Sequence, residues 1–444
     1  MPAAYSLKLS EPLIRRFLRL AIANIVSNLM TPLAGIIDTA FLGHLADIRH
    51  LGGVALATVL FNYVYWSFGF LRMGTTGMTA QAVGRRSDQD VLLIALRNGG
   101  IALGLGLLIL LLQIPIRELG FALLSATPDV KLSGQAFFDA RIWGAPAVLM
   151  NLVLIGWFLG REKGSWVLLL SLVGNGANVL LDYLFIVRWG WASVGAGWAT
   201  AASQYLMLGV GLIFVGRAMS WPRVQAVMPR LWDSAAFHSL FKLNRDILIR
   251  TFALVSSFAL FTNLSSGLGV NVLAANTLLL QIVTLGAYFI DGLAFATESL
   301  AGNFHGQGDR LKLASLMRLS GAVSLALGIA FALAFALFPR VFLSLLTHHL
   351  DVLDQAAAYV WWLLPVLGFG SIAFMLDGYF LGLTAGRALR NSTLLATGGG
   401  FLPVAIIAWN LQNPQLLWLA LTLFMATRAI TLSLVAPRTV REPI

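Results

Sequence analysis

The sequence predicts an all-α, polytopic membrane protein with 12 transmembrane helices in two six-helix lobes, related by a pseudo-two-fold axis along the membrane normal. Three observations lead there. Of 444 residues, 58% are hydrophobic and only 11% charged, against about 25% charged in an ordinary soluble domain. Runs free of Asp, Glu, Lys and Arg cover most of the chain, and similar segments recur about half a chain apart.

A bilayer core about 30 Å thick takes about 20 residues of helix. Uncharged stretches run at 20–37, 51–71, 98–116, 142–160, 164–181, 189–216, 251–290, 319–339, 355–376 and 391–427. Two are too long for one crossing. Ser265-Ser266-Gly267 divides the first of these, and Asn410 with Gln412-Asn413-Pro414 divides the second. The expected helices are therefore 17–43, 51–84, 91–116, 133–160, 165–188, 193–216, 247–269, 271–302, 311–338, 353–383, 391–409 and 414–436. The first continues through Asp38 with no small-residue cleavage site after it, which reads as a retained span rather than a signal peptide.

Thirty basic residues against nineteen acidic ones give a formal charge of +11. They sit between apolar runs rather than on one stripe, so nucleic acid is not an expected partner. With the N-terminus inside, 23 of the 30 fall on the inner side. Six fall outside (Arg49, Arg117, Lys131, Arg141, Arg188 and Arg340), and Arg72 lies within a span near its inner end, where it is expected to snorkel. A plasma (inner) membrane protein with both termini cytoplasmic is the expectation. The absence of cysteine excludes disulfides, Cys-ligated zinc, Fe–S clusters and thiol catalysis.

The repeat has an almost constant offset. Val54-Ala55-Leu56-Ala57 through Gly74, Thr79 and Gly84 aligns with Val272 through Gly292, Thr297 and Gly302. Trp143 and Pro146 match Trp362 and Pro365, and Phe158-Leu159-Gly160 matches Phe380-Leu381-Gly382. An even number of crossings inserts both halves in the same orientation, with a central cleft between lobes. The expected organisation is an N-terminal lobe at 1–216, a cytoplasmic linker at 217–246 with an amphipathic stretch from Phe237 to Leu243, and a C-terminal lobe at 247–444.

An ionised carboxylate at the bilayer centre costs about 2.5–3.5 kcal/mol even on the lenient insertion scale, so an acid inside a span needs a partner, a cavity or a job. Asp38 lies about five residues, or roughly 8 Å, below the outer end of the first helix. Asp182 near the outer end of the fifth and Thr200 in the sixth reach the same level. Asn175, Asn178 and Asp182 fall at i, i+3 and i+7, a polar stripe that ends in the acid. Oxygen ligands at that level suit a proton shared by two carboxyls or a hard cation such as sodium. Asp291, Glu298 and Asp377 lie toward inner ends, near headgroups and water; with Asn151, Asn175 and Gln281 they are candidates for the substrate pathway or for gating. Apart from Arg72, the charges clearly inside spans read as acidic, which favours cationic or neutral cargo.

Other features read as structural. The six histidines, His44, His50, His238, His305, His348 and His349, fall in loops or at helix ends and are expected to be solvated. Gly160-Arg161-Glu162-Lys163-Gly164 lacks the Gly-Lys-Ser/Thr ending of a phosphate-binding loop, so direct ATP use has no support. Met30, Met150, Phe261 and Phe295 are read as packing or lipid-facing side chains before cavity linings.

Several short motifs, in order along almost the whole chain, resemble the multidrug and toxic compound extrusion (MATE) family, most closely its DinF-like branch. They are Ile37-Asp38-Thr39-Ala40 with Leu42-Gly43-His44, Asn178 to Asp182, Phe241-Lys242-Leu243-Asn244-Arg245-Asp246, Tyr288-Phe289-Ile290-Asp291-Gly292 with Ala296-Thr297-Glu298, and Leu376-Asp377-Gly378 with Arg390-Asn391-Ser392. The resemblance implies a two-lobe exporter that exchanges protons or sodium for bulky, often cationic organic compounds, with coupling at Asp38 and Asp182 and with Asn178 and Thr200 beside them. Many bacterial relatives carry a proline in the first helix where this chain has Ala23, so a bend that depends on it would here have to come from elsewhere, with Pro32 and Gly35 as the candidates. The expected protein is a monomeric antiporter in the lipid bilayer. Its partners are small organic substrates and protons or sodium, and it has no bound cofactor. The nearest rival is a flippase for a lipid-linked precursor; an intramembrane enzyme would need a nucleophile or metal cluster at one depth.

Overall fold

The computed structural model describes residues 11–219, 221–344 and 349–441. Among them there is no strand, and twelve helices are long and apolar enough to cross a membrane. These are α1 (Glu11–Gly43), α2 (Arg49–Gly84), α3 (Asp88–Leu111), α4 (Pro128–Gly160), α5 (Gly164–Arg188), α6 (Ala192–Ala218), α7 (Ser234–Gly267), α8 (Val270–Gly306), α9 (Arg310–Leu337), α10 (Leu350–Gly382), α11 (Gly386–Asn410) and α12 (Pro414–Val440). Both divisions of the long uncharged stretches fall where the polar residues placed them, at Gly267 and Asn410. Short helices at Gln113–Leu123, Trp221–Val227 and Pro339–Leu343 lie between spans.

The chain forms two compact units. One comprises residues 26–239; the other joins the start of α1, through Ile25, to the chain from Leu240 onward. The division falls inside α1, because the two parts of that helix pack on different partners. In its first part Phe17, Leu20 and Ala21 are buried and Arg16 lies 5.4 Å from the Phe304 ring centroid of α8. Farther along α8, Gly292 faces Ile25 so closely that a Cβ there would stand 2.7 Å from the Ile25 backbone nitrogen. Within the other unit, the Ser27 and Ser171 hydroxyls hydrogen-bond, tying α1 to α5.

Both units use the same devices at matched positions. A 3₁₀ turn at Ile142–Gly144 precedes Pro146 in α4, and another at Val360–Trp362 precedes Pro365 in α10. Proline removes an amide donor and clashes with the preceding turn, so the chain tightens there. Gly160 lets α4 approach α2: a Cβ would stand 2.6 Å from the Thr79 Cβ and 2.7 Å from the Thr76 carbonyl. Gly382 does the same for α10 on α8, with the Gly302 nitrogen 2.8 Å away. Ser87 caps α3 by accepting from the Asp90 amide, and Asp309 caps α9 by accepting from the Lys312 amide.

The amphipathic stretch from Phe237 to Leu243 forms the beginning of α7, where Leu240 and Leu243 are buried and Phe241 is exposed. A helix already carrying an apolar stripe continues straight into the span, since a break would orphan backbone groups. Two local expectations need correction. His50 is not a solvated loop histidine; it is half-buried, with Nδ1 3.1 Å from the Ser133 hydroxyl and 3.2 Å from that of Ser193. Arg72 is buried in α2 rather than extended to the interface. His348 lies outside the described residues.

Candidate functional site

The unit of residues 26–239 brings two acids together. Asp38 comes from the last two turns of α1 and Asp182 from α5, directly before the helix widens into a π segment at Tyr183–Arg188. A π segment re-aims side chains within an otherwise regular helix and is frequent at functional sites. The side chains of Asp38 and Asp182 lie within hydrogen-bonding reach of each other. Asp182 is fully buried, and Asn178, one turn earlier on α5, donates from Nδ2 to its Oδ2 at 2.9 Å. Each acid keeps an Oδ1 that is buried and has no protein partner.

Two carboxyls so placed cannot both stay ionised without a charge between them: like charge and removal from water both favour a shared proton or a bound cation. The amide of Asn178 fixes the orientation of Asp182 without neutralising it. The two orphan oxygens are the ligand capacity the protein leaves open.

The remaining predicted residues are less closely gathered. Thr200 donates its hydroxyl at 2.9 Å to the Ala196 carbonyl of its own helix, and Asn175 donates to the Ser171 carbonyl at 2.8 Å. Asn151 donates to the Gln204 carbonyl at 2.9 Å and to its Oε1 at 3.0 Å, which joins α4 to α6. Gln281 is exposed on α8.

In the other unit, Asp377 and Glu298 are buried rather than near water, and Asp291 is half-buried. Asp377 Oδ2 accepts from both Arg250 and Arg428, themselves buried on α7 and α12. The expectation that spans hold only acids besides Arg72 is therefore wrong. Sequence position alone reads both arginines as surface charges on the inner side; the structure turns them inward, where one carboxylate accepts from both. A second buried acid, Asp246, accepts from Arg390 at 2.7 Å and Arg245 at 3.2 Å, linking α7 to α11.

Arg141 is the residue that sequence reasoning missed. It stood among the outer basic residues although the expected fourth helix, 133–160, already contained it. It lies on α4 with its guanidinium carbon 4.4 Å from the Phe61 ring centroid and 5.5 Å from that of Phe137, and its charge acts on Asp38. Its Nε is buried without a partner. The aromatic pair Phe137-Phe138 one turn earlier was the available signal, since arginine tolerates burial on aromatic faces.

The MatE family model matches residues 23–184 and 247–413. The chain belongs to the MatE family. Its members are transporters rather than enzymes, and this chain is an integral membrane protein. It is 34% identical over 416 residues to DNA damage-inducible protein F of Escherichia coli (strain K12), covering 93% of this chain and 90% of that one. It is 22% identical over 421 residues to a probable multidrug resistance protein NorM of Thermotoga maritima, covering 93% and 86%. An outward-facing multidrug resistance MATE transporter of the MOP superfamily superposes with a TM-score of 0.88 at 19% identity, and a MOP superfamily transporter from Pyrococcus furiosus with 0.87 at 18%, each over 99% of both chains. At that identity the likeness establishes a common fold.

Proposed function

We propose that the protein is a secondary active antiporter of the inner membrane, its termini cytoplasmic, that exports bulky organic cations by alternating access in exchange for protons or sodium. Asp38 and Asp182 carry the exchangeable charge and Asn178 holds Asp182 in register. The single observation that supports this reading is the acid pair, Asp182 buried and Asp38 half-buried, with one buried and unpartnered oxygen on each carboxyl. Relatives described as multidrug resistance proteins support the cargo class. A two-acid site passes through an occupied and an empty state, and the empty state is costly unless the pocket opens to water, which links ion release to the conformational change. The imposed gradient supplies the work, about 2.3 kcal/mol per charge per 100 mV.

The buried arginines do not turn the reading toward an anionic, lipid-linked cargo. Arg250 and Arg428 are already committed to Asp377, and Arg390 to Asp246. The test is efflux of a fluorescent organic cation from proteoliposomes with pH and sodium gradients imposed separately. One gradient alone should drive efflux in the native chain, and neither should in Asp38→Asn or Asp182→Asn. Gradient-driven efflux by both variants would refute the assignment.

A further inference from the structure

At the inner ends of α3, α4 and α6, a cavity of about 320 Å³ opens within the unit of residues 26–239. Its wall includes Arg161 and Arg223, the acid Asp88, and the apolar surfaces of Trp157, Leu92 and Met219. Arg161 directly follows α4, and its guanidinium carbon lies 4.2 Å from the Trp157 ring centroid. Trp157 is fixed in turn by donating from Nε1 to the Val91 carbonyl at 3.0 Å. One nitrogen of Arg161, Nη1, is buried and has no protein partner. Burial pushes the Arg161 guanidinium below its ordinary pKa, and the charge of Asp88 offsets only part of that effect.

Asp88 acts on Arg161 through its charge but forms its ion pair elsewhere. Its side chain is 90% exposed at the rim, and its nearest cation is Arg223, at 4.0 Å. The cavity thus offers two guanidiniums for one rim carboxylate, on a rigid aromatic floor.

The surroundings point toward a membrane surface. The short helix Trp221–Val227 and the turn after it run past the cavity, and Arg97 holds this segment by donating to the Leu231 carbonyl at 2.9 Å. Trp221 is 70% and Trp232 82% exposed, as aromatic side chains at a bilayer interface are. The same ends of these spans carry the basic excess of the sequence.

We propose that this cavity is a binding site for a phosphate ester, with Arg161 and Arg223 contacting its oxygens and the headgroup of an anionic membrane lipid as its expected source. Arginine suits this role because its planar fork matches phosphate oxygens in pairs. A basic pocket between spans at the inner surface is a recurrent form of headgroup recognition. Glu162 and Lys163 continue the same loop, which has no nucleotide-phosphate signature, so the ligand is not expected to be ATP.

Native mass spectrometry and thermal unfolding of the full chain in detergent test this, with dioleoyl phosphatidylglycerol, dioleoyl phosphatidylcholine or inorganic phosphate as the probe. One phosphatidylglycerol should be retained and should raise the unfolding temperature, while phosphatidylcholine does neither. Arg161→Gln should weaken retention about tenfold, which is about 1.4 kcal/mol. Arg223→Gln, at an exposed position that leaves folding intact, should weaken it less. Equal stabilisation by inorganic phosphate with no lipid preference would keep the phosphate site and assign it a soluble ligand. Retention unchanged in Arg223→Gln and Arg161→Lys together, or no effect of either phosphate probe on the native chain, overturns the proposal. The readout is binding, so it stands apart from the transport assignment.

Discussion

Each unit of the molecule buries an aspartate among helices, and the two are treated in opposite ways. Asp182 faces a second acid and an amide, and both acids keep an oxygen unpartnered. Asp377 also keeps its Oδ1 unpartnered, but its other oxygen receives two guanidiniums. Around these acids the frameworks match: a proline-linked 3₁₀ turn in α4 and α10, a close-approach glycine at 160 and 382, and a side-chain cap at 87 and 309. On the proposed reading, matched frameworks hold an ion-exchange site in one unit and, in the other, an acid whose counter-charge comes from the chain itself.

That contrast gives the largest expected effects. Asp377→Asn removes a carboxylate that serves two buried arginines, and breaking a buried ion pair on one side costs about 3–5 kcal/mol. Folded protein should be lost, as read by size-exclusion chromatography and thermal unfolding. Asp38→Asn and Asp182→Asn should leave the unfolding temperature near that of the native chain and reduce gradient-driven efflux to background. A stable Asp377→Asn that transports poorly would erase the distinction, because the second acid would then also be an exchange site.

The glycines sharpen the other half of the comparison. At Gly160 a methyl group would press on Thr79 and on the backbone at Thr76 and Ala80; at Gly382 it would press on the backbone of Glu298 and Gly302. Backbone cannot turn aside as a side chain does, so Gly160→Ala and Gly382→Ala should each lower stability by about 1–3 kcal/mol. Equal losses in chemical denaturation would mark the two helix crossings as one device used twice. A loss at one position alone would mean that the frameworks have diverged along with their acids.

Arg141 tests how far the acid pair depends on a fixed charge of its own unit. It is not bonded to Asp38 but acts on it from its place over Phe61 and Phe137. Arg141→Ala should slow efflux about tenfold, the equivalent of about 1.4 kcal/mol in barrier, measured as the initial rate of dye release under a fixed gradient. A loss as complete as that of the acid variants would make Arg141 a member of the exchange site rather than a neighbour of it.

The fold was legible because membrane spans announce themselves by length and by absence of charge, and all twelve do so here. The acid pair was legible for a related reason: a carboxylate within a span is costly wherever it lies, so depth along two helices was enough to bring Asp38 and Asp182 together on paper. Arg141, Arg250 and Arg428 were not legible. Arginine near a helix end can reach water or turn inward at similar cost, and which it does depends on a partner far away in sequence, as Asp377 is for both Arg250 and Arg428. His50 escaped likewise, since Ser133 and Ser193 reach it only in the folded unit.

The smallest effect separates the matched caps. Ser87 on α3 is neutral at every accessible pH, whereas Asp309 on α9 titrates. Partial burial works to raise the Asp309 pKa, but hydrogen bonds and charge from Lys312 outweigh it and hold the carboxyl below its ordinary 3.8. A depressed folded value means that the cap's contribution, about 1 kcal/mol for a helix N-cap, is fully present above that ordinary value and fades as the pH falls through the lower one. Hydrogen exchange at the Lys312 amide should therefore lose protection at acid pH relative to the Asp90 amide under Ser87. Asp309→Ser should remove that pH dependence and leave the cap. If both amides lose protection together, the whole unit is opening at acid pH, and the two caps no longer report on their own residues.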